Sequence, residues 1–100
     1  MKGMTHPMNA LSSHVLTAIL HDNKVLISYR LGLADGITLL SRRGREPEFS
    51  TIAEDESPPV LDARAKLDPD QSETRHYRAI LHYSANEVRQ FSNEIVLTLP

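Results

Sequence analysis

From Arg75 to Pro100 apolar side chains recur at every second position through two runs, RHYRAILHY and VRQFSNEIVLTLP, separated by the polar break SANE. A period of two belongs to a strand with one face on a core and the other in water. Two such runs across a short polar break predict a β-hairpin that closes a half-buried sheet. Tyr77, Ala79, Leu81 and Tyr83 share the inward face of the first run, and Ile95, Leu97 and Leu99 that of the second. Ser92-Asn93 interrupts the second run and marks a bulge or kink.

The same period governs much of the upstream chain. HVLTAILHDNKVLISYRL divides at Asp22-Asn23, two residues that tolerate the left-handed backbone of a tight hairpin. Beyond that turn Val25, Ile27, Tyr29 and Leu31 face one way, while Lys24, Ser28 and Arg30 face the other, with Leu26 as an apolar exception. Residues 10–21 fit either a strand or a helical stripe of Leu11, Val15, Ala18 and Ile19 capped by Asn9; β-branched content and the following turn favour the strand. A turn over Gly32 to Gly36 leads to a strand ITLLSRR that ends at Gly44, and a weaker strand spans Phe49 to Ala53. AEDESPP reads as a loop punctuated by Pro58 and Pro59. VLDARAKL alternates again, with Leu61, Ala63, Ala65 and Leu67 expected inward and Asp62, Arg64 and Lys66 outward, and DPDQSE connects it to the closing hairpin. About seven short strands with frequent turns predict an all-β chain folded as a two-sheet antiparallel sandwich. The folded domain is expected over residues 13–100, after an N-terminal arm over residues 1–12 that holds all three Met residues with Gly3 and Pro7.

Within that frame the residues resemble a fibronectin type III domain, one of the immunoglobulin-like sandwiches. Leu16-Thr17-Ala18 followed by Val25, Ile27 and Tyr29 is similar to the first two strands of that family, with Tyr29 in the place of the usual buried tryptophan. Leu67, Pro69 and Tyr77 resemble the leucine, proline and tyrosine around its sixth strand, and Phe91-Ser92 with Ile95, Val96, Thr98 and Pro100 resembles its final strand. The resemblance implies a tyrosine corner, in which the Tyr77 hydroxyl bonds back to the loop backbone. The long separation of Leu67 from Tyr77 implies an enlarged loop or a different corner partner. The family implies a fold far more strongly than a function, since its members serve mainly as spacers and protein-binding modules.

Composition narrows the function classes. A net charge of −2 and a pI near 6.2 give no bulk attraction to nucleic acid or an anionic membrane. The chain has no cysteine, which excludes disulfides and thiolate metal sites and slightly favours a cytoplasmic setting. No apolar run reaches the roughly 20 residues of a membrane span, and MKGMTHPMN lacks the apolar core of a secretory signal. His76 and His82 fall on one outward face, yet six residues of roughly 3.3 Å put them about 20 Å apart. Shared ligation of one ion, with bonds near 2 Å, is out of reach. His6 and His14 lie in or near the arm and His21 by a turn, so no metal site is expected. The sequence holds no nucleophile elbow and no phosphate-cradling glycine loop, and Glu54-Asp55-Glu56 lacks calcium-loop spacing, so no catalytic residue and no cofactor is expected. Arg42, Arg43 and Arg45 surround Gly44 in a turn where Glu46 and Glu48 offset their charge, and no RGD tripeptide stands in the loop of Ser84-Ala85-Asn86.

One surface remains. On the sheet that carries the third, sixth and last strands, Leu40, Ile80 and Val96 are expected to point away from the core, among Arg42, Arg78, His82, Glu94 and Thr98. Apolar residues grouped on an exposed sheet face indicate a docking surface for a protein partner or a second copy, with burial under the N-terminal arm as the alternative. The sequence therefore points to a non-catalytic structural or protein-interaction module, free-standing or an accessory domain of a larger bacterial or phage surface protein. A small-ligand or carbohydrate-binding sandwich is the competing expectation. It requires exposed aromatics, and Tyr29, Tyr77 and Phe91 are expected in the core.

Overall fold

A computed structural model describes residues 15–84 and 88–100 of the chain. The arm expected over residues 1–12, His6, His14 and the loop positions Ala85 and Asn86 lie outside the described residues.

β1 (Leu16–His21) and β2 (Lys24–Tyr29) form the first hairpin. Asp22 and Asn23 turn it with φ of 52° and 61°, the double left-handed backbone that matches the twist of paired strands. Register settles residues 16–21 as a strand, with Leu16 opposite Tyr29 and His21 opposite Lys24. β5 (Val60–Asp62) pairs on the other side of β2 and completes a three-stranded sheet, β1-β2-β5.

β3 (Gly36–Arg43) begins the larger sheet and stops at Gly44, whose φ of 53° reverses the chain. β4 (Ser50–Glu54) borders β3 on one side, with a bulge between Leu39 and Leu40, and β6 (Glu73–Tyr83) borders it on the other. β7 (Val88–Phe91) and β8 (Ile95–Leu99) share the far edge of β6, β7 against Ile80–Tyr83 and β8 against Glu73–Tyr77. All pairings are antiparallel, and two sheets of three and five strands make the all-β sandwich.

The expected single last strand is thus two, broken where Ser92-Asn93 was expected to kink it. The Ser92 hydroxyl replaces a ladder carbonyl, accepting from the Ala79 amide at 2.9 Å, and donates to the Asn93 carbonyl at 2.7 Å. Asn93 turns its side-chain amide to β1, accepting from Leu16 N at 2.9 Å and donating to Leu16 O at 3.0 Å. One side chain thereby pairs with β1 as a neighbouring strand would, and joins the two sheets at their edge.

Between the sheets lie Leu16, Val25, Ile27, Ile37, Leu39, Tyr77, Ala79, Leu81 and Leu99, each almost wholly buried. Burying each large aliphatic side chain contributes about 1.5–3 kcal/mol. β3 and β6 supply most of this layer because every second residue along both is buried. Leu31, past the end of β2, is exposed rather than sharing the inward face.

The segment after β5 departs from expectation. Val60 and Asp62 are buried, while Leu61 and Leu67 are 52% and 56% exposed and Ala63 and Ala65 also face water. The parity of VLDARAKL is the reverse of the one its hydrophobicity suggests, because Asp62 finds charged partners inside the sandwich.

Candidate functional site

Asp62 projects from β5 into the interior, where side chains of β6 and the following connection surround it. Arg75, 0% exposed, donates from Nη1 to Asp62 Oδ2 at 3.3 Å, from Nε to Glu73 Oε2 at 2.6 Å, and from Nη2 to the Arg64 carbonyl at 2.8 Å. The Tyr77 hydroxyl donates to Asp62 Oδ2 at 2.6 Å. Arg64 folds back over the same carboxylate, with Nε 2.8 Å from Oδ1 and Nη2 2.8 Å from Oδ2, and Nη2 also reaches the buried Ser41 hydroxyl at 2.7 Å. Glu73 spends its other oxygen on the Leu67 amide at 2.8 Å.

Burial alone would raise the Asp62 pKa, but hydrogen bonds from Arg64 and Tyr77 and the Arg64 charge carry it down to about 2. Burial, with the Asp62 carboxylate as acceptor, pushes Tyr77 up to about 12. The guanidiniums of Arg64 and Arg75 are held protonated by these carboxylates against the opposing pull of burial. The Asp62 carboxylate is thus bonded by a neutral phenol and two permanent cations, and Arg75 is bonded in turn by Glu73. Neither Asp62 nor Tyr77 is poised to exchange a proton near neutral pH.

The resemblance implied that Tyr77 bonds to loop backbone. Its acceptor is instead the Asp62 carboxylate, and the backbone carbonyl of Arg64 goes to Arg75. Leu67, expected to pack inward, contributes only its amide, to Glu73. Tyr29 is buried as expected, and its hydroxyl donates to the Glu56 carbonyl.

The second cluster lies on the outward face of the larger sheet. Strand register places Leu40 opposite Arg78, Arg42 opposite His76 and Thr38 opposite Ile80 across β3 and β6. Ile80 stands opposite Phe91 on β7, and Val96 on β8 stands opposite His76. Leu40, Arg42, Arg78, Ile80 and His82 are each half-buried, and Val96 is 55% exposed. All six expected residues therefore share one face, although Val96 lies beside His76 rather than beside Ile80.

Two aromatic residues complete this face. Phe91, expected in the core, is 55% exposed because it falls in register with outward Ile80. The Arg78 guanidinium lies 4.7 Å from the Phe91 ring centroid and 4.1 Å from that of Phe49, which precedes β4. Arg42 lies 5.7 Å from the Phe49 centroid, and the His76 ring meets Phe49 edge-on at 6.4 Å. His76 Nδ1 is 2.8 Å from Glu94 Oε2, and His82 Nε2 is 2.9 Å from the Thr38 hydroxyl.

The arginine-rich turn behaves as charge compensation suggests. Arg43 binds Glu46 through its amide at 2.7 Å and through Nη2 at 3.2 Å, and Arg42 Nη1 donates to the Glu46 carbonyl at 3.1 Å. The Arg43 amide is the main reason the Glu46 carboxyl sits below its usual range. Among the described residues no group of three or more His, Asp or Glu side chains is placed to hold a metal ion.

On the smaller sheet Ile19, Leu26 and Leu61 occupy one cross-strand row that faces outward. Comparison of the chain with family models, with curated proteins and with solved structures found no match.

Proposed function

We propose that this chain is a non-catalytic, fibronectin type III-like module that acts by binding another protein through the outward face of its larger sheet. The observation that carries the reading is a division of labour between the two clusters. The strongly perturbed acid and phenol, Asp62 and Tyr77, are spent on each other and on Arg64 and Arg75, as structural groups are. The outward face keeps its apolar and cationic groups half-open to water. Flat faces with aromatic and arginine residues suit protein recognition.

The family reading draws support from the strand distribution. β4 pairs with β3 and extends the larger sheet, leaving three strands in the smaller one, unlike the four-and-three division of immunoglobulin constant domains. It also draws support from the buried Tyr77 on β6, which ties that strand to the connection after β5, though through a carboxylate.

The test is association of the full chain, followed by light scattering over a concentration series and by photo-crosslinking from a benzoylphenylalanine in place of Thr38. Crosslinks that form with the parent chain and vanish with Ile80→Asp support the reading. Unchanged association and crosslinking with Ile80→Asp, at unchanged stability, overturn it.

Exposure of Phe91 favours one second reading, a carbohydrate-binding sandwich, since sugars stack on open rings. Arg78 already lies over both Phe91 and Phe49. A thermal-shift panel of mono- and oligosaccharides separates the two, because a ligand of the native state raises its melting temperature.

A further inference from the structure

We propose that Arg42, Phe49, Arg78 and Phe91 form a carboxylate-recognition site, and that its occupant is an acidic segment of another protein with apolar residues beside the acid. The inference rests on the protein-binding reading above and names the chemistry of the partner.

Arg42 and Arg78 are diagonal neighbours on adjacent strands, and both guanidiniums lie over the Phe49 ring. Like charges so placed repel. Among the described residues neither lies within 4.0 Å of a carboxylate, although every other arginine on β3 and β6 does. The Arg42 contact is to a neutral carbonyl, at Glu46. Among the described residues the enclosed Arg78 Nε has no hydrogen-bond partner. Two rings, one from the β4 side of the sheet and one from β7, lie against the guanidinium and restrict its rotamers, so little entropy remains to be lost on binding. A guanidinium with aromatic contacts recognises an anion through its edge, and a carboxylate matches that edge in bidentate fashion.

The surroundings select a protein acid. Leu40 and Ile80 are half-buried beside the arginines, and Phe91 and Val96 stand exposed on the same face. A polyanion such as nucleic acid gains nothing from those side chains and is not drawn by a chain of net charge −2. A segment in which carboxylates alternate with apolar residues satisfies both the cations and the apolar surface.

The probes are two synthetic hexapeptides, alternating glutamate–leucine and alternating glutamine–leucine, together with inorganic phosphate. Each is titrated into the full ¹⁵N-labelled chain while the Arg78 Nε–H signal and the Ile80 and Phe91 amides are followed. The glutamate peptide is expected to shift these signals saturably and to bind at least about tenfold more tightly than the glutamine peptide. Arg78→Gln is expected to lower its affinity by about tenfold or more, and Arg78→Lys by nearly as much, because lysine keeps the charge and loses the fork. Arg42→Gln serves as the second variant should Arg78→Gln melt early. Equal affinity for the two peptides, phosphate binding as tight as the glutamate peptide, or no binding by either peptide overturns the proposal. Equal affinity that Ile80→Asp abolishes for both peptides overturns the carboxylate and leaves the protein-binding reading standing.

Discussion

The Tyr77 hydroxyl donates a hydrogen bond of 2.6 Å to Oδ2 of Asp62, joining β6 of the larger sheet to β5 of the smaller one through the middle of the sandwich. The same oxygen also faces Arg75 and Arg64. Removing different members of this set has different consequences. Tyr77→Phe deletes one bond to a charged acceptor that keeps two cationic partners, and is expected to cost about 1.5–3 kcal/mol. Asp62→Ala leaves Arg75 buried with a single carboxylate, and is expected to cost about 3–5 kcal/mol. Urea unfolding of the two variants checks the order; a larger loss for Tyr77→Phe than for Asp62→Ala refutes this account of the network.

The network also sets a pH window. The Asp62 pKa is lowered from 3.8 to about 2 in the fold, so its contribution is fully present above 3.8 and disappears as pH falls toward 2. The Tyr77 pKa is raised from 10.0 to about 12, so its contribution is present below 10 and disappears as pH rises toward 12. Each shift corresponds to about 2–3 kcal/mol. Unfolding free energy measured across this range is expected to fall at both ends. Asp62→Asn should flatten the acid limb and Tyr77→Phe the alkaline limb. An acid limb that persists unchanged in Asp62→Asn assigns the loss to other carboxylates.

Asn93 closes the edge between β8 and β1 with two bonds to the Leu16 backbone. Asn93→Ala removes both and leaves a mostly buried amide and carbonyl to water, at an expected cost of about 1–2 kcal/mol. Asn93→Asp retains an acceptor for Leu16 N but sets a negative charge against Leu16 O, and is expected to cost more than Asn93→Ala. Hydrogen exchange localises the effect. The Leu16 amide should lose protection in Asn93→Ala while Ala79, held by Ser92, keeps it.

Much of this architecture was legible because period-two patterning reports burial directly. Tyr77, Ala79 and Leu81 alternate with His76, Arg78 and Ile80 without interruption, and the structure buries the first set and turns the second outward. Asp22-Asn23 and Gly44 marked their turns because few residues accept a positive φ. What hydrophobicity could not report was the interior charge. Arg75 lies in phase with Tyr77, so parity alone placed it inside, and its polarity obscured this. Asp62 lies in phase with Val60, which the alternation of Leu61, Ala63, Ala65 and Leu67 set outside, so no parity signal marked it for the interior. Phe91 was misplaced for a related reason. Aromatic character suggested the core, whereas its pairing with Ile80 fixes it outside. The outward face was found from the parity of Leu40, Ile80 and Val96, but Phe49, expected as the first residue of its strand and standing just before it, was not assigned to that face.

The segment from Val60 to Leu67 offers the sharpest comparison between hydrophobicity and structure. Hydrophobic patterning expects Leu61 in the core and Val60 outside it. The structure has Val60 packed against Ile27 in register and Leu61 opposite Leu26 on the open side of the smaller sheet. Leu61→Asp should therefore cost less than about 1 kcal/mol, since it surrenders only partly buried area and strands no charge in the interior. Val60→Asp places an unpaired carboxylate between the sheets beside Asp62 and should abolish folding near neutral pH. Thermal melts followed by circular dichroism distinguish the two outcomes. A cooperative melt for Val60→Asp together with an unfolded Leu61→Asp would restore the hydrophobic reading, and with it an outward Asp62 that has no part in the core.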